Sequence, residues 1–293
     1  LACTPGALTL ARLSGARAWL HIQDYEVDAA FELGLLKGKG LRALVSAAER
    51  WLMRRFDRVS TISQRMLDRA RLKGVDDDRL THLPNWVDVA AVKPLPGPSS
   101  YREQLGIDAD AVVALYSGNM GAKQGLEVLA GLARKLNHRT DIHFVYCGQG
   151  AGREALVQAC AGLSNVHWLE LQPVERLPDL LGLADIHLLP QRADAADLVM
   201  PSKLTGMLSS GRPVVAGTRI DTELGQVVSQ CGKLAAPDDA DSFAFAVREL
   251  ADQPALRQEL GRRARIWAVE NLARDSVLRR FESALRECLA GSR

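Results

Sequence analysis

The stretch "LYSGNMGAKQGLEVL", residues 115–129, passes from an apolar run through a glycine-spaced turn into a helical pattern. The apolar run predicts a buried strand that ends at Gly118, and Gly121 and Gly125 allow close approach of the backbone before the helix begins. Backbone amides in such a turn can bind an anion at the positive end of the helix dipole, and Lys123 adds a formal charge. The same spacing also fits a plain strand-to-helix corner.

The glycine spacing of this turn excludes two common nucleotide-binding motifs. It matches neither the G-x-G-x-x-G fingerprint of dinucleotide-binding proteins nor the G-x-x-x-x-G-K-[ST] pattern of Walker P-loops. Kinase-like and dehydrogenase functions are therefore disfavoured.

A second basic helix start lies in "VMPSKLTGMLSSGRPVVA", residues 199–216. Pro201 and Ser202 are typical of a helix N-terminus and Gly211 of its end, which places Lys203 in the first turn. A lysine there opposes the helix dipole and costs roughly 0.3 kcal/mol unless it is solvated or an anion is bound. Because both helix starts follow the carboxyl ends of strands, we expect them to share one pyrophosphate group.

Strands and helices alternate through the second half of the chain. After "AVVALYSG" the predicted strands are "IHFVYCG", "VHWLEL", "DIHLLP", "RPVVAG" and "GKLAAP", with helical patterns at 123–137, 151–162, 175–183, 202–210 and 221–229 between them. From residue 240 onward the pattern is helical. This order predicts an α/β fold with a parallel, doubly wound sheet.

The first half of the chain has the same character but begins abruptly. "ALTLARLSG" predicts a helix that ends at Gly15, followed by a strand in "AWLHIQD", so we expect earlier strands of this domain to be absent from the sequence. Residues 41–55 carry apolar residues at three-to-four spacing on one helical face and basic residues on the other. "PLPGPSS", residues 94–100, has linker composition. The predicted domains are 1–95 and 96–275, with a final helical segment at 276–293.

Composition is that of a soluble globular protein, with 293 residues, 47% hydrophobic and 25% charged. The five cysteines lack C-x-x-C spacing, which argues against a disulfide framework and against a zinc site. No apolar run reaches the ~18 residues of a membrane span, and no signal peptide is evident. These features favour a cytoplasmic protein.

Positive charge is concentrated in residues 37–73, which hold eleven basic and three acidic side chains although the whole chain has a net charge of +2. Solvated helix faces, a nucleic-acid patch and contact with an anionic membrane are all compatible with this segment. Nucleic acid is the least favoured partner, because aromatic residues are few and no recognised binding module is present.

Several spaced motifs resemble one enzyme family. "LPNWVD", "SGNMGAKQGLEVL", "ADIHLLP" and "PSKLTGMLSSGRPVVA", together with "WLHIQDYEVDAAFELGLLKG", are similar to motifs of the retaining, nucleotide-sugar-dependent glycosyltransferases of the GT-B fold (family 4-like). Within that family the resemblance is to the bacterial branch that makes colanic-acid-type exopolysaccharide, and it covers nearly the whole chain.

The resemblance implies two Rossmann-like domains, the first incomplete, with the nucleotide sugar bound by the second and the final helix crossing back to the first. It implies a UDP- or GDP-linked donor and no metal, because lysines and helix amides neutralise the departing diphosphate. The residues that it assigns to the donor are Gly118, Asn119, Lys123, Gly125, Pro201, Ser202, Lys203 and Leu204.

This sequence departs from the family pattern at two places. The family's arginine after the first glycine of the turn and its lysine before the last are replaced by Asn119 and Gln124, and the cation moves to Lys123. The family's two glutamates, eight positions apart, would fall on Leu198 and Gly206 and are missing. We interpret the "PSK" variant as a subfamily trait rather than as inactivation.

His21 and Asp24 end a predicted strand where the family usually presents polar residues from its first domain. A retaining transfer needs a base or hydrogen-bond acceptor for the acceptor hydroxyl, or help from the departing phosphate, so we take these two residues as catalytic candidates. A structural histidine is the plainer interpretation. Asp194 and Asp197 could contact sugar hydroxyls or could simply be solvated.

The resulting expectation is a glycosyltransferase at the cytoplasmic face of the plasma membrane. It would move a hexosyl or deoxyhexosyl unit onto a growing lipid-linked saccharide or oligosaccharide. The alternatives are a sugar-nucleotide epimerase of the same fold, which needs no acceptor, and a non-catalytic nucleotide-sugar-binding subunit.

Overall fold

The computed structural model describes residues 3–25, 31, 38–121, 124–192 and 200–291. The chain forms two compact units, of which the first comprises Leu1–Asn85, Asp197–Met200 and Asp275–Arg293 and the second Trp86–Ala196 and Pro201–Arg274.

The boundary between the units lies before Trp86, ten residues earlier than the sequence suggests. The segment that follows is tied to the second unit by Arg265, whose guanidinium donates to the carbonyl oxygens of Val89 at 2.7 Å and Val92 at 2.9 Å. The proline-rich stretch that follows also packs within the second unit, with Pro94 against Gly211 and Leu95 against Gly182, although its composition is that of a linker.

The first unit contains a three-stranded parallel sheet in the order β1-β2-β3. Its elements are α1 (Thr4–Ser14), β1 (Trp19–Ile22), α2 (Lys39–Met53), β2 (Arg58–Thr61), α3 (Gln64–Leu72) and β3 (Leu80–His82). Gly15 ends α1 in the left-handed conformation with φ 70°, and Ser63 caps α3 by accepting the Met66 amide at 3.2 Å. These caps explain why the sequence locates both helices well.

The second unit contains a six-stranded parallel sheet in the order β6-β5-β4-β7-β8-β9. Its elements are α4 (Ser100–Leu105), β4 (Val112–Ser117), α5 (Glu127–Lys135), β5 (Ile142–Cys147), α6 (Arg153–Ala159), β6 (Val166–Leu169), α7 (Leu177–Leu183), β7 (Ile186–Leu189), α8 (Lys203–Ser209), β8 (Val214–Gly217), α9 (Glu223–Cys231), β9 (Gly232–Ala235), α10 (Ala240–Asp252) and α11 (Pro254–Leu272). The predicted α/β class and parallel sheet are confirmed.

Both faces of the larger sheet are covered, which is why its strands read as continuous apolar runs. Along β4, Ala114 and Tyr116 pack into the cluster formed with α5 and α10, whereas Val113 and Leu115 pack on the other face with Leu180. Strand side chains alternate between the faces, so this single strand anchors both cores.

The last helix, α12 (Arg274–Ala290), packs within the first unit. The Phe281 ring meets Trp19 edge-to-face with centroids 5.2 Å apart, and the Glu287 carboxylate lies 3.8 Å from Arg58. Among the described residues, no helix has both the length and the apolar composition that crossing a bilayer requires.

Candidate functional site

The strand order creates a crevice at the carboxyl ends of β4 and β7. The chain runs from β4 outward through β5 to β6 and then returns to place β7 on the opposite side of β4. In open parallel sheets, ligands bind where the order reverses in this way. The loop after β4 begins at Gly118, and the segment after β7 leads to Lys203 at the start of α8.

Lys203 lies against Gly118. A Cβ atom on Gly118 would be 3.4 Å from Cδ and 3.9 Å from Nζ of the lysine, and Gly118 has a φ of +138°. The Nζ atom also lies 4.4 Å from the centroid of the Tyr116 ring and 3.4 Å from Oε1 of Gln124. The Lys203 side chain at the start of α8 therefore reaches the turn after β4, so the two segments singled out in the sequence are in contact in the second unit.

The positive charge of the Lys203 ammonium is only weakly balanced by its neighbours. Burial lowers its pKa from 10.5 to about 8, because removing a charged amine from water disfavours the protonated form. Among the described residues no carboxylate is within ion-pair distance of its Nζ; its neighbours are the amide oxygen of Gln124 and the face of Tyr116. A cation held in this way is a favourable site for an anionic ligand.

Glycines hold the loops after β4 and β5 in direct backbone contact. A Cβ on Gly148 would overlap the carbonyl oxygen of Gly118, and one on Gly150 would lie 2.6 Å from the carbonyl oxygen of Met120. The Met120 amide donates to the Gln149 carbonyl at 2.8 Å. The floor of the crevice is thus a pair of hydrogen-bonded loops in close backbone contact, with the Asn119 side chain lying against Gly150.

The side chain of Tyr116 is hydrogen-bonded to the loop after β4. Its side chain is fully buried, and its hydroxyl donates to the carbonyl oxygen of Asn119 at 2.6 Å. Burial raises the pKa of this phenol, so the group stays protonated and keeps donating. The Asn119 side chain turns toward the glycine loops, with Nδ2 3.4 Å from the Cβ position of Gly121.

Gly125 lies where three loops meet. Its φ is +64°, and a Cβ there would lie 3.3 Å from Oδ1 of Asp238 and 3.4 Å from the backbone nitrogen of Arg192. Asp238 itself has a φ of 57°, an uncommon conformation for a residue with a side chain. The predicted donor residue Lys123 lies outside the described residues, as do Asp194, Asp197 and Leu198.

The start of α8 is built around a buried anchor. Leu204 is buried, and its amide donates to the Pro201 carbonyl at 3.0 Å. Ser202 is exposed, occupies the N-cap position and makes no side-chain capping bond. Of the predicted residues on this segment, Lys203 is therefore the one whose side chain reaches the turn at Gly118.

Gly206 is one of the departures from the family pattern. A Cβ at this position would lie 3.0 Å from Cδ1 of Leu181 in α7. A side chain added at 206, where the family pattern has a glutamate, would require the end of the Leu181 side chain to move by a few tenths of an ångström.

The two predicted catalytic residues lie in the first unit. His21 Nδ1 is 2.9 Å from Oγ of Ser60 and its Nε2 is 2.7 Å from the amide nitrogen of Gln23. Because that amide nitrogen can only donate, Nε2 accepts and Nδ1 carries the proton. Burial lowers the pKa of His21, which favours this neutral form. Asp24 is exposed and follows β1 by two residues.

Of the predicted donor residues, Gly118 and Lys203 lie in contact, and they are surrounded by residues that were not predicted. Tyr116, Gly148 and Gly150 form the floor of the crevice and were not among the predicted site residues. A signal was available for the last two, because "CGQGAG" places glycines directly after a strand, as at Gly118.

Comparisons with known proteins identify the family of the chain. Residues 2–86 match the family model described as "Glycosyl transferase 4-like domain", and residues 111–253 match "Glycosyl transferases group 1". The Escherichia coli (strain K12) protein named as a colanic acid biosynthesis glycosyl transferase, WcaI, is 38% identical over 98% of this chain and 72% of its own length. A "D-inositol 3-phosphate glycosyltransferase" of Kineococcus radiotolerans is 28% identical over 66% of this chain and 48% of its own length.

Solved structures share the fold at low identity. The crystal structure of Anabaena Alr3699/HepE in complex with UDP has a TM-score of 0.78 and 16% identity, and covers 98% of this chain and 76% of its own. This likeness shows the fold, and the family models and the E. coli relative show the class of enzyme. The chain belongs to the GT-B glycosyltransferases that combine a glycosyl transferase 4-like domain with a group 1 domain, and it is a nucleotide-sugar-dependent transferase.

Proposed function

We propose that this enzyme transfers a hexosyl or deoxyhexosyl unit from a UDP- or GDP-linked sugar to a growing saccharide in exopolysaccharide biosynthesis. The observation that carries the donor half of this proposal is the contact between Lys203 and Gly118 at the reversal point of the sheet. The pathway rests on the E. coli relative, whose name refers to colanic acid biosynthesis. The UDP in the HepE crystals supports a uridine nucleotide as the first to test.

In this proposal the Lys203 ammonium contacts the outer phosphate of the donor, beside the glycine loops. The lysine lacks a carboxylate partner among the described residues, and its lowered pKa reflects the cost of holding a charge there. A bound diphosphate supplies the missing counter-charge. Its attraction to the Lys203 ammonium increases in the transition state, because the leaving group gains negative charge there. We propose that this cation, with Lys123 and the backbone amides of the two helix starts, balances the diphosphate without a metal ion.

For the transfer step we propose retention of configuration at the anomeric carbon. His21 offers Nε2 as an acceptor once Gln23 releases it, and its neutral form suits a base or hydrogen-bond acceptor for the incoming hydroxyl. Asp24 is the second candidate for this role. The departing phosphate is a further acceptor for the same proton, so the two first-unit residues would contribute to rate rather than to donor binding.

We further propose that the acceptor is a lipid-linked or oligosaccharide chain met at the inner face of the plasma membrane. The basic character of residues 37–73 supports such a location, because the cytoplasmic leaflet is anionic.

Calorimetric titration with UDP, GDP, ADP and their sugars tests the donor assignment. The proposal expects UDP or GDP to bind at least tenfold more tightly than ADP, with no change on adding EDTA. Comparable affinity for all three, or binding that needs a divalent ion, would contradict it.

Transfer is then measured with the preferred radiolabelled sugar nucleotide and a membrane extract as the acceptor source. Label recovered in a lipid-linked saccharide, with the α or β configuration of the donor preserved, supports the proposal. Conversion of the free nucleotide sugar without acceptor would instead indicate an epimerase, and binding without either reaction a non-catalytic subunit.

A further inference from the structure

We infer that α2 (Lys39–Met53) is the membrane-docking surface of the first unit and lies in the plane of an anionic bilayer. This inference deepens the proposed membrane location, and it rests on a different part of the molecule from the donor site. It starts from the direction in which the apolar residues of this helix point.

The apolar stripe of α2 points away from the protein. Leu41, Leu44 and Trp51 are 45%, 69% and 56% exposed, respectively, and Ala48 between them is also exposed. These positions are three or four residues apart, so they share one side of the helix. Large apolar side chains are usually the first to be buried, and a continuous outward row of them marks a surface that binds a partner or a membrane.

The inward side of the helix is supplied by other residues. Leu52 and Met53 are buried, and Met53 packs in the cluster that also contains Phe56 and Val59. Glu49, the single acidic residue of α2, is likewise buried and forms an ion pair with Lys73. The anchoring of the helix therefore does not need the outward stripe, and the helix shows no carboxylate on its exposed side.

Arginines flank the outward stripe. Arg50, Arg54 and Arg55 are exposed, and the Arg55 guanidinium carbon lies 3.3 Å from the centroid of the Trp51 ring while its Nη1 donates to the Trp51 carbonyl at 2.8 Å. Trp51 and Arg55 thus form one amphipathic unit, apolar at the ring and cationic at the edge.

This combination fits an anionic lipid surface. Helices that lie in the membrane interface carry leucine and tryptophan on one face and arginine or lysine beside it. The apolar side chains enter the boundary between headgroups and acyl chains, and each arginine near the surface contributes about fivefold to partitioning. An apolar partner alone would not explain why the flanking positions are cationic and the one carboxylate is removed to the interior.

Co-sedimentation with vesicles of phosphatidylglycerol and phosphatidylcholine tests the inference on the full chain. We expect binding to mixed vesicles, none to pure phosphatidylcholine, and release at high salt. Leu44→Ser with Trp51→Ser should reduce binding at least tenfold, as should Arg50→Gln with Arg55→Gln. Matched changes in the second unit, Ile220→Ser with Phe245→Ser and Arg262→Gln with Arg263→Gln, should leave binding unchanged.

Depth is tested with brominated lipids, which quench tryptophans that enter the bilayer. Quenching should be strong in the wild type and should fall in Trp51→Phe, which keeps an apolar ring but removes the fluorophore. Equal binding by all variants, equal binding to neutral vesicles, or quenching unchanged by Trp51→Phe would overturn the inference. A dimer that Leu44→Ser with Trp51→Ser converts to monomer, without loss of vesicle binding, would assign the stripe to self-association and overturn it as well.

These variants also separate the two proposals. Each should bind the preferred nucleoside diphosphate as the wild type does. Loss of vesicle binding with normal nucleotide affinity supports the inference, whereas a failure of the donor assignment leaves the vesicle result unaffected.

Discussion

The side chain of Lys203 lies against Gly118: a Cβ atom at position 118 would lie 3.4 Å from the lysine Cδ and 3.9 Å from its Nζ. The lysine is delivered by the segment after β7 and the glycine by the loop after β4, so the contact joins the two sides of the crevice.

Gly118→Ala should therefore weaken nucleotide binding. The backbone at 118 has a φ of +138°, which residues with a side chain rarely adopt, so the turn that faces Lys203 would have to shift, and the new methyl group would contact the lysine side chain. We expect about 1–3 kcal/mol of destabilisation and at least a tenfold loss of affinity for the preferred nucleoside diphosphate, measured by urea denaturation and calorimetry.

Gly162→Ala is the matched control for backbone strain. Gly162 also has a positive φ, +80°, but nothing lies within 4 Å of its Cβ position. It should lose about 1 kcal/mol of stability and keep full nucleotide affinity. Equal loss of affinity in both variants would mean that strain, not the contact with Lys203, controls binding.

Diphosphate affinity should fall as pH rises above about 8. The pKa of Lys203 is lowered to about 8 in the free protein, and a bound diphosphate should raise it again. At pH values between the pKa of Lys203 in the free protein and its pKa in the complex, binding takes up a proton. Affinity is therefore greatest below pH 8 and declines by up to about tenfold per pH unit above it. The nucleotide phosphates are fully ionised in this range, because their second pKa is near 6.

Calorimetry at pH 8.5 in buffers of different ionisation enthalpy measures that proton directly. Lys203→Arg should abolish the uptake, since arginine stays charged. Affinity that is constant from pH 7.5 to 9.5 in the wild type would contradict the assignment of Lys203 to the phosphate.

Lys203→Met should stabilise the ligand-free protein while removing its nucleotide binding. Below pH 8 the folded protein holds a charged amine that the unfolded chain solvates better, and methionine keeps the packing against Gly118 without that cost. We expect a gain of about 1–2 kcal/mol, or a few degrees in Tm. The control, Lys135→Met, breaks a surface pair with Asp241 and should change stability by less than about 0.5 kcal/mol. A less stable Lys203→Met protein would show that the ammonium is already compensated.

His187 should make the second unit sensitive to acid. It is fully buried in β7; its Nε2 donates to Ser210 Oγ at 3.0 Å, because that hydroxyl donates onward to the Met207 carbonyl at 2.7 Å. Burial, with Arg212 nearby, lowers its pKa from 6.5 to about 3. The unfolded state thus binds more protons between these values, and stability present above pH 6.5 is lost as pH falls toward 3.

His187→Leu should remove about 2–3 kcal/mol of the stability difference between pH 7 and pH 4.5, as measured by urea denaturation at both values. The exposed His138→Leu is the control and should leave the difference as it is in the wild type. An unchanged pH profile in His187→Leu would show that this histidine is not held neutral.

The sequence predicted the sheet well because each strand of the second unit is mostly apolar, with one histidine in β5, β6 and β7 and one lysine in β9, and is followed by a glycine, proline or polar turn. The compact units divide before Trp86, whereas the sequence places the boundary at "PLPGPSS", because that stretch has linker composition and the segment before it is held by Arg265, which is far away in the sequence. The composition of a segment indicates its local conformational preference, but it does not indicate which distant side chain binds it.

The apolar face of α2 shows a second limit. Its three-to-four spacing correctly predicted a helix, yet Leu44 and Trp51 are exposed while Glu49 is buried. Periodicity identifies a stripe but not what covers it, and the partner of Glu49, Lys73, could not be read from spacing.

At the site, the glycine turn and the lysine could be singled out from the sequence because each is unusual in its local structure. Gly118 interrupts an apolar strand, and Lys203 sits in a helix turn where its charge is unfavourable. Tyr116 gave no such signal, since an aromatic residue in a buried strand is ordinary and its role depends on the carbonyl that it reaches.

The most direct test of the account compares nucleoside diphosphates with monophosphates on one variant. Affinities of UDP, UMP, GDP and GMP are measured by calorimetry for the wild type, Lys203→Ala and the surface control Lys135→Ala. If Lys203 contacts the outer phosphate, Lys203→Ala should weaken the preferred diphosphate at least thirtyfold and its monophosphate less than threefold, with the control unchanged. Equal losses for diphosphate and monophosphate, or no loss for either, would contradict the account.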